Sequence, residues 1–146
     1  MKFKLRPYQE EASKKAVEFF LDEKKNWNAL EVLPTASGKS LILADIAARL
    51  KDKVLVFSPT KEILEQNYKK YCSYGFDNAS IYSASFKSKE ISDVTFATIG
   101  SVKGHPELFT DFKYILIDEV HLVKPESGMY KEFLDKLKSK VIGLTA

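Results

Sequence analysis

One run of seven residues, PTASGKS at positions 34–40, constrains this chain more than any other feature. It follows a short apolar segment that predicts a strand, and it precedes an apolar periodicity that predicts a helix. A strand, a turn of small residues and a helix that begins with Gly-Lys-Ser form a phosphate cradle, because backbone N–H groups and the helix dipole attract an anion. Lys39 is expected to contact the β- and γ-phosphates of a nucleotide, and Ser40 to bind Mg²⁺. Leu33 stands where this pattern usually begins with glycine, so the match is imperfect.

Two adjacent acids follow a second apolar run, at residues 112–117. A continuous apolar run is typical of a buried parallel strand, and ligands bind beyond the carboxyl ends of such strands. Asp118 is expected to hold Mg²⁺ through its water shell, and Glu119 to accept a proton from an attacking water. The alternative is that both acids are solvated residues of a turn. The phosphate-binding pattern earlier in the chain makes that alternative the weaker one.

Length and composition fit a single soluble domain. The chain has 146 residues, and its net charge of +3 allows a polyanionic partner without requiring one. Cys72 is the single cysteine, so no disulfide can form within the chain. The sequence lacks a signal peptide and an apolar run of about 18 residues, which predicts a cytoplasmic protein that does not span a membrane.

Hydrophobic spacing predicts an alternation of strands and helices. The predicted helices cover residues 8–25, 39–50, 61–71 and 129–138, and the predicted strands 27–33, 53–57, 80–82, 93–98, 114–117 and 140–144. Residues 86–92 are polar and are predicted to form a loop. The alternation predicts an α/β fold with a mostly parallel sheet flanked by helices. Because the sequence stops directly after a predicted strand, we expect a fragment of a longer protein.

Several segments in order resemble the motifs of superfamily 2 helicases of the DEAD/DEAH type. They are LRPYQ (5–9), LPTASGKS (33–40), FSPTKEILEQ (57–66), FATIGSV (96–102), DEVH (118–121) and GLTA (143–146), which resemble the Q-type motif, motif I, motif Ia, a further nucleic-acid motif, motif II and the start of motif III. The chain is most similar to the first RecA-like domain of the XPB-like and RadD-like branch. The resemblance implies a RecA-like P-loop fold in three layers, with residues 1–146 forming the helicase ATP-binding domain.

This resemblance also implies an activity. The full protein would be an ATP-dependent nucleic-acid helicase or translocase that uses ATP and Mg²⁺, with DNA favoured over RNA as partner. The resemblance implies a second RecA-like domain, which carries an arginine finger in this family and is expected to be missing from the fragment. The fragment is therefore expected to be weakly active or inactive. Two alternatives remain. One is a non-catalytic nucleotide-dependent nucleic-acid-binding module, and the other is a duplex translocase that does not separate strands.

Residue roles follow from the matching motif positions. Catalysis would use Glu119, Lys39 and Asp118, and the metal would be held by Ser40 and Asp118. Nucleotide binding would use Arg6, Gln9, Thr35, Ala36, Ser37, Gly38, Lys39 and Ser40, with Arg6 and Gln9 at the adenine. Nucleic-acid contacts would come from Pro59, Thr60, Lys61, Thr98 and Ser101, and coupling between sites from His121 and Thr145.

Three of these residues have plain structural alternatives. Gln9 is equally compatible with a capped helix start that leaves its side chain in solvent. Thr60 is also expected to be the N-cap of the following helix, and both of its roles are compatible. His121, taken alone, would more often be a strand-end histidine with an ordinary hydrogen bond.

Overall fold

The computed structural model describes residues 4–22, 24, 29–32, 38–119 and 129–145, with the backbone alone at 29–32, 129, 131 and 145. The elements in chain order are α1 (Pro7–Leu21), β1 (Ala29–Val32), α2 (Lys39–Leu50), β2 (Val54–Phe57), α3 (Lys61–Ser73), β3 (Ala79–Ser83), β4 (Ser88–Lys89), β5 (Val94–Ala97), α4 (Ile99–Val102), β6 (Tyr114–Ile117), α5 (Met129–Asp135) and β7 (Lys140–Thr145). Short 3₁₀ turns cover Ala84–Phe86 and Pro106–Phe109.

The strands form one sheet in the order β1-β7-β6-β2-β5-β3-β4. All described pairings are parallel except β3 with β4, which is antiparallel. The central strands are buried on both faces, and β2 shows this directly. Val54 and Val56 belong to a core cluster with α1, α2 and α3, whereas Leu55 and Phe57 belong to a second cluster with α4 and α5. The predicted α/β fold with helices on both faces of a mostly parallel sheet is therefore confirmed.

Two predicted helices end earlier in the structure than the sequence predicts. The predicted helix 8–25 ends at Leu21, because Asp22 turns to an extended conformation at the C-cap. There the Lys140 ammonium donates hydrogen bonds to the carbonyls of Phe19 and Asp22. It thereby satisfies carbonyls that have no donor within the helix. The predicted helix 129–138 ends at Asp135, since the next N–H groups bond three residues back.

Short elements were missed by the sequence prediction. The predicted loop 86–92 contains β4, which pairs with Tyr82 and Ser83 of β3. Helix α4 and the 3₁₀ turn at Pro106–Phe109 were not predicted either. Each of these elements has four residues or fewer, too few to show a period.

Strand ends place several side chains at one edge of the sheet. Phe57 of β2 pairs with Ile117 of β6 and with Ala97 of β5, so residues 58, 98 and 118 all follow strands that end at the same level. The Asp118 N–H donates to the Phe57 carbonyl at 2.9 Å, and the Ser58 N–H donates to the Ala97 carbonyl at 3.2 Å. This carboxyl edge is where an open parallel sheet binds its ligands. In the part of the chain that is described, no helix has the length and apolar character needed to cross a membrane.

The α3 helix is held by a buried tyrosine whose ionisation should destabilise the fold. Burial raises the pKa of Tyr71 to about 12, and its hydroxyl donates to Asn78 Oδ1 at 2.7 Å. A tyrosine in the unfolded chain has a pKa of about 10. Between this pH and about 12, the unfolded chain therefore loses a proton that the folded chain keeps. We therefore expect the free energy of unfolding to fall by about 1.4 kcal/mol per pH unit there. Urea unfolding from pH 9 to 12 (approximately) measures the slope, and Tyr71→Phe should remove that part of it. An identical slope in both proteins would contradict the assignment.

Candidate nucleotide-binding site

The start of α2 lies within the predicted phosphate-binding segment. Gly38 is the N-cap and has φ 75°, a left-handed conformation that favours glycine. Its carbonyl accepts hydrogen bonds from the N–H groups of Leu41 (3.0 Å) and Ile42 (3.2 Å), which start the helix. Lys39 and Ser40 are the first helical residues. The remaining predicted phosphate-binding residues, Thr35, Ala36 and Ser37, lie outside the described residues.

The structure brings the three predicted catalytic side chains together. The Lys39 ammonium lies 3.8 Å from Asp118 Oδ1 and forms an ion pair with Glu119 Oε1. All three side chains are largely shielded from solvent, with exposed fractions of 18%, 5% and 19% for Lys39, Asp118 and Glu119. In a shielded site an ion pair is stronger than it is in water, and a phosphate would compete with Glu119 for the same ammonium.

Glu119 has an unusual backbone. Its φ is 52°, one of three positive values at described non-glycine residues. A non-glycine residue in the left-handed region is disfavoured by about 1–2 kcal/mol, and such residues concentrate at functional sites. The turn directly after β6 therefore directs the Glu119 carboxylate toward Lys39, at a cost to the stability of the fold.

A metal ion would find oxygen ligands beside Lys39. Asp118 Oδ1 is buried and accepts no hydrogen bond within the described part of the chain. The Ser40 hydroxyl lies nearby, linked to Asp118 through one intervening side chain. No cluster of three or more His, Cys, Asp or Glu residues suited to a metal occurs among residues that the structure describes. One carboxylate and one hydroxyl fit Mg²⁺, which usually keeps several waters and takes its other ligands from substrate phosphates.

The intervening side chain, Asn67 of α3, was not predicted as a site residue. Its Oδ1 accepts a hydrogen bond from the Ser40 hydroxyl at 2.9 Å, and its Nδ2 donates to Asp118 Oδ2 at 2.8 Å and to Ser58 Oγ at 3.3 Å. Asn67 is 4% exposed. The sequence offered one signal: an amide stands among the apolar positions of the predicted helix, beside Ile63 and Leu64.

Gln9 lies beside Gly38, at the start of α2. Its Oε1 accepts a hydrogen bond from the Arg6 N–H at 2.8 Å, so the capped helix start is present. Gln9 is only 5% exposed, however, so the alternative that leaves its side chain in solvent is wrong. A Cβ added at Gly38 would lie 2.4 Å from Gln9 Nε2, so a larger residue there would require the end of the Gln9 side chain to shift. Arg6 is exposed. The predicted adenine contacts of both residues stay predictions.

A cavity of about 460 Å³ opens over these residues. Its lining includes Gly38, Lys39, Ser40, Asn67, Lys70, Tyr74, Asp118 and Glu119. A larger groove of about 950 Å³ lies at the opposite edge of the sheet, beside Tyr114 and Lys140, where β6 and β7 begin. None of the predicted site residues lines that groove, whereas Lys39, Ser40, Asp118 and Glu119 line the smaller cavity.

The predicted nucleic-acid contacts lie at the same carboxyl edge. Thr60 is the N-cap of α3, and its Oγ1 accepts from the Ile63 N–H at 3.2 Å, as the alternative predicted. The Thr98 and Ser101 hydroxyls lie 3.0 Å apart, and the Lys61 ammonium lies 5.8 Å from the Phe86 ring centroid.

The structure gives few contacts for the remaining predicted residues, Pro59, Thr145 and His121. Pro59 is half-buried and directly follows Ser58. The backbone of Thr145 pairs with Val32 at the end of β7. His121 lies outside the described residues. The structure therefore describes backbone alone for one coupling residue and leaves out the other.

Comparison with known proteins gives consistent matches. The family described as "Type III restriction enzyme, res subunit" matches residues 2–146. A DNA 3'-5' translocase XPB2 from Sulfurisphaera tokodaii is 30% identical over 148 residues, which cover 99% of this chain and 31% of the relative. The chain thus spans about a third of the length of this curated relative.

Solved structures show the same fold. The UvsW helicase from bacteriophage T4 superposes with a TM-score of 0.77 at 24% identity, covering 98% of this chain and 52% of that one. A SWI2/SNF2 ATPase core from Sulfolobus solfataricus, solved in complex with dsDNA, gives a TM-score of 0.79 at 22% identity, covering 99% of this chain and 32% of that one. The fold of this chain is therefore shared with these two structures.

Proposed function

Because the chain belongs to the Type III restriction enzyme res-subunit family, we propose that it is the ATP-binding domain of a motor that acts on nucleic acid. The observation that supports this most strongly is the meeting of Lys39, Ser40, Asp118 and Glu119 at one edge of the sheet. One cation, one hydroxyl and two acids are the groups that phosphoryl transfer to water requires.

Each side chain has a distinct role in this proposal. Lys39 balances negative charge on the β- and γ-phosphates, and Ser40 and Asp118 hold Mg²⁺. When bound, Mg²⁺ neutralises charge that develops on the phosphate oxygens. Glu119 accepts the proton of the attacking water. In the structure Glu119 pairs with Lys39, so binding of phosphate at Lys39 would release the Glu119 carboxylate for that task.

The whole protein is proposed to have a second domain. The chain spans 31% of the XPB2 translocase, and a RecA-like partner domain with an arginine finger would occupy part of the remainder. An arginine finger is worth roughly 10³–10⁵ in rate in related phosphoryl-transfer systems, so this chain alone should hydrolyse ATP poorly. The names of the relatives, a DNA translocase and an ATPase core bound to dsDNA, favour DNA as the partner.

Replacing Lys39 with alanine is expected to weaken ATP–Mg²⁺ binding about tenfold or more. The Lys39 ammonium lies in the cavity beside Asp118, where the phosphates would meet it, and a charge-assisted contact of this kind is worth roughly 1.5–3 kcal/mol. Titration with a fluorescent ATP analogue measures the affinity. Lys53→Ala is the matched control, because Lys53 is an exposed lysine that pairs with Asp111 just before β2, at the opposite edge.

The control should bind as tightly as the wild type. Equal affinity in the wild type and Lys39→Ala would remove the nucleotide site from the α2 start. Equal losses in both lysine variants would mean that overall charge, and not this site, attracts the nucleotide.

A further inference from the structure

Asn67 is a buried polar residue that touches both proposed metal ligands. Its side-chain amide bonds the Ser40 hydroxyl and the Asp118 carboxylate, and α3 carries it into the space between α2 and β6. Asn67 is distant in the chain from both ligands, 27 residues from Ser40 and 51 from Asp118, so tertiary packing brings them together. These contacts point to a role for Asn67 in the site.

The Asp118 carboxylate fixes the orientation of this amide. Nδ2 has two N–H groups, and they go to Asp118 Oδ2 at 2.8 Å and Ser58 Oγ at 3.3 Å. The reverse orientation would place Oδ1 against a carboxylate oxygen, and two acceptors repel each other. The amide oxygen therefore faces Ser40, where it can only accept a hydrogen bond.

This orientation determines where the Ser40 hydrogen points. A hydroxyl has one hydrogen and two lone pairs, and only a lone pair can bind a cation. Because Asn67 Oδ1 accepts the hydrogen at 2.9 Å, the lone pairs of Ser40 Oγ point away from Asn67. On the other side, Asn67 occupies Oδ2 of Asp118 and leaves the buried Oδ1 without a hydrogen bond from any described residue. The Asn67 amide thus leaves the lone pairs of one oxygen on each ligand, Ser40 Oγ and Asp118 Oδ1, available to bind a metal ion.

We propose that Asn67 is a positioning residue for Mg²⁺. It orients Ser40 and Asp118 without contacting the metal or the nucleotide. This inference rests on the proposed function, because it assumes that nucleotide and Mg²⁺ bind in this cavity. Partners that orient metal ligands commonly change metal affinity by about 10–100-fold when removed. The role also explains why an amide is buried at this position of α3, where an apolar side chain would pack at no desolvation cost.

The test separates metal binding from folding. Asn67→Ala is titrated with a fluorescent ATP analogue at increasing Mg²⁺, and again in EDTA. We expect the half-saturating Mg²⁺ concentration to rise at least about tenfold, with affinity in EDTA within about twofold of the wild type. Asn67→Ser keeps one hydroxyl that can serve either ligand, so its shift should be smaller. This second variant preserves the test if the alanine variant does not fold.

Tyr71→Phe is the matched control. Tyr71 lies one turn further along α3, is equally buried, and loses a hydrogen bond to Asn78 in this variant without touching the cavity. Its Mg²⁺ requirement should equal that of the wild type. A structural role for Asn67 would instead weaken binding equally with Mg²⁺ and in EDTA, and that result would overturn the inference. So would an unshifted Mg²⁺ requirement in Asn67→Ala. A wild-type protein that binds no ATP analogue at all would overturn the proposed function itself.

Discussion

Replacing Glu119 with glutamine is expected to lower ATP turnover by the full-length protein by ~10²-fold or more. Glutamine keeps the size of the side chain but cannot accept a proton at neutral pH, so the general base is lost. ATP–Mg²⁺ binding should be retained or tightened, because the variant also removes the carboxylate that pairs with Lys39 and competes with phosphate. Steady-state ATPase rates together with nucleotide titration measure both effects.

Two other acid variants show whether the effect is specific. Asp118→Asn should raise the Mg²⁺ requirement, because it weakens a metal ligand and changes the partner of Asn67. Glu65→Gln removes an exposed carboxylate that pairs with Lys69 on α3, and it should leave turnover unchanged. If Glu119→Gln hydrolyses ATP at the wild-type rate, Glu119 is not the base.

The parts of the site that the sequence predicted are those whose chemistry is local in the chain. Lys39 and Ser40 follow a glycine at a helix start, and Asp118 and Glu119 follow an apolar strand. The parallel sheet brings these two segments together, since strands that run the same way end at the same edge. The same apolar runs predicted the main strands and the α/β class, and the structure confirms both.

Features that depend on packing between distant segments could not be predicted. Asn67 acquires its contacts only when α3 packs beside α2 and β6, and its sequence neighbours do not encode those contacts. The end of α1 is likewise set by Lys140, more than a hundred residues away in the chain. Strand β4 exists because β3 offers an edge with which Ser88 and Lys89 can pair. In each case a tertiary partner, and not local propensity, decides the structure.

The rate of ATP hydrolysis by the full-length protein is expected to rise when DNA is added and to fall again with salt. The contacts proposed at the carboxyl edge, such as the Thr98 and Ser101 hydroxyls and the Lys61 ammonium, suit phosphate oxygens and do not read bases. Lys61 lies over the Phe86 ring, which favours holding its charge at this edge. If the whole protein neutralises about four phosphates of a single strand, its affinity should fall roughly 50-fold between about 50 and 200 mM salt.

Lysine variants can assign part of that salt dependence to this surface. Lys61→Ala should reduce the slope of log affinity against log salt by about 1, uniformly across DNA sequences. Lys53→Ala removes an equal charge beside Asp111 at the other edge, and it should leave the slope unchanged. ATPase rates and DNA-binding titrations across a salt series measure the two quantities on the same samples. Turnover that ignores every polynucleotide tried, with DNA binding intact, would contradict a motor and favour a nucleotide-dependent binding module, because a motor must couple hydrolysis to the strand that it moves along.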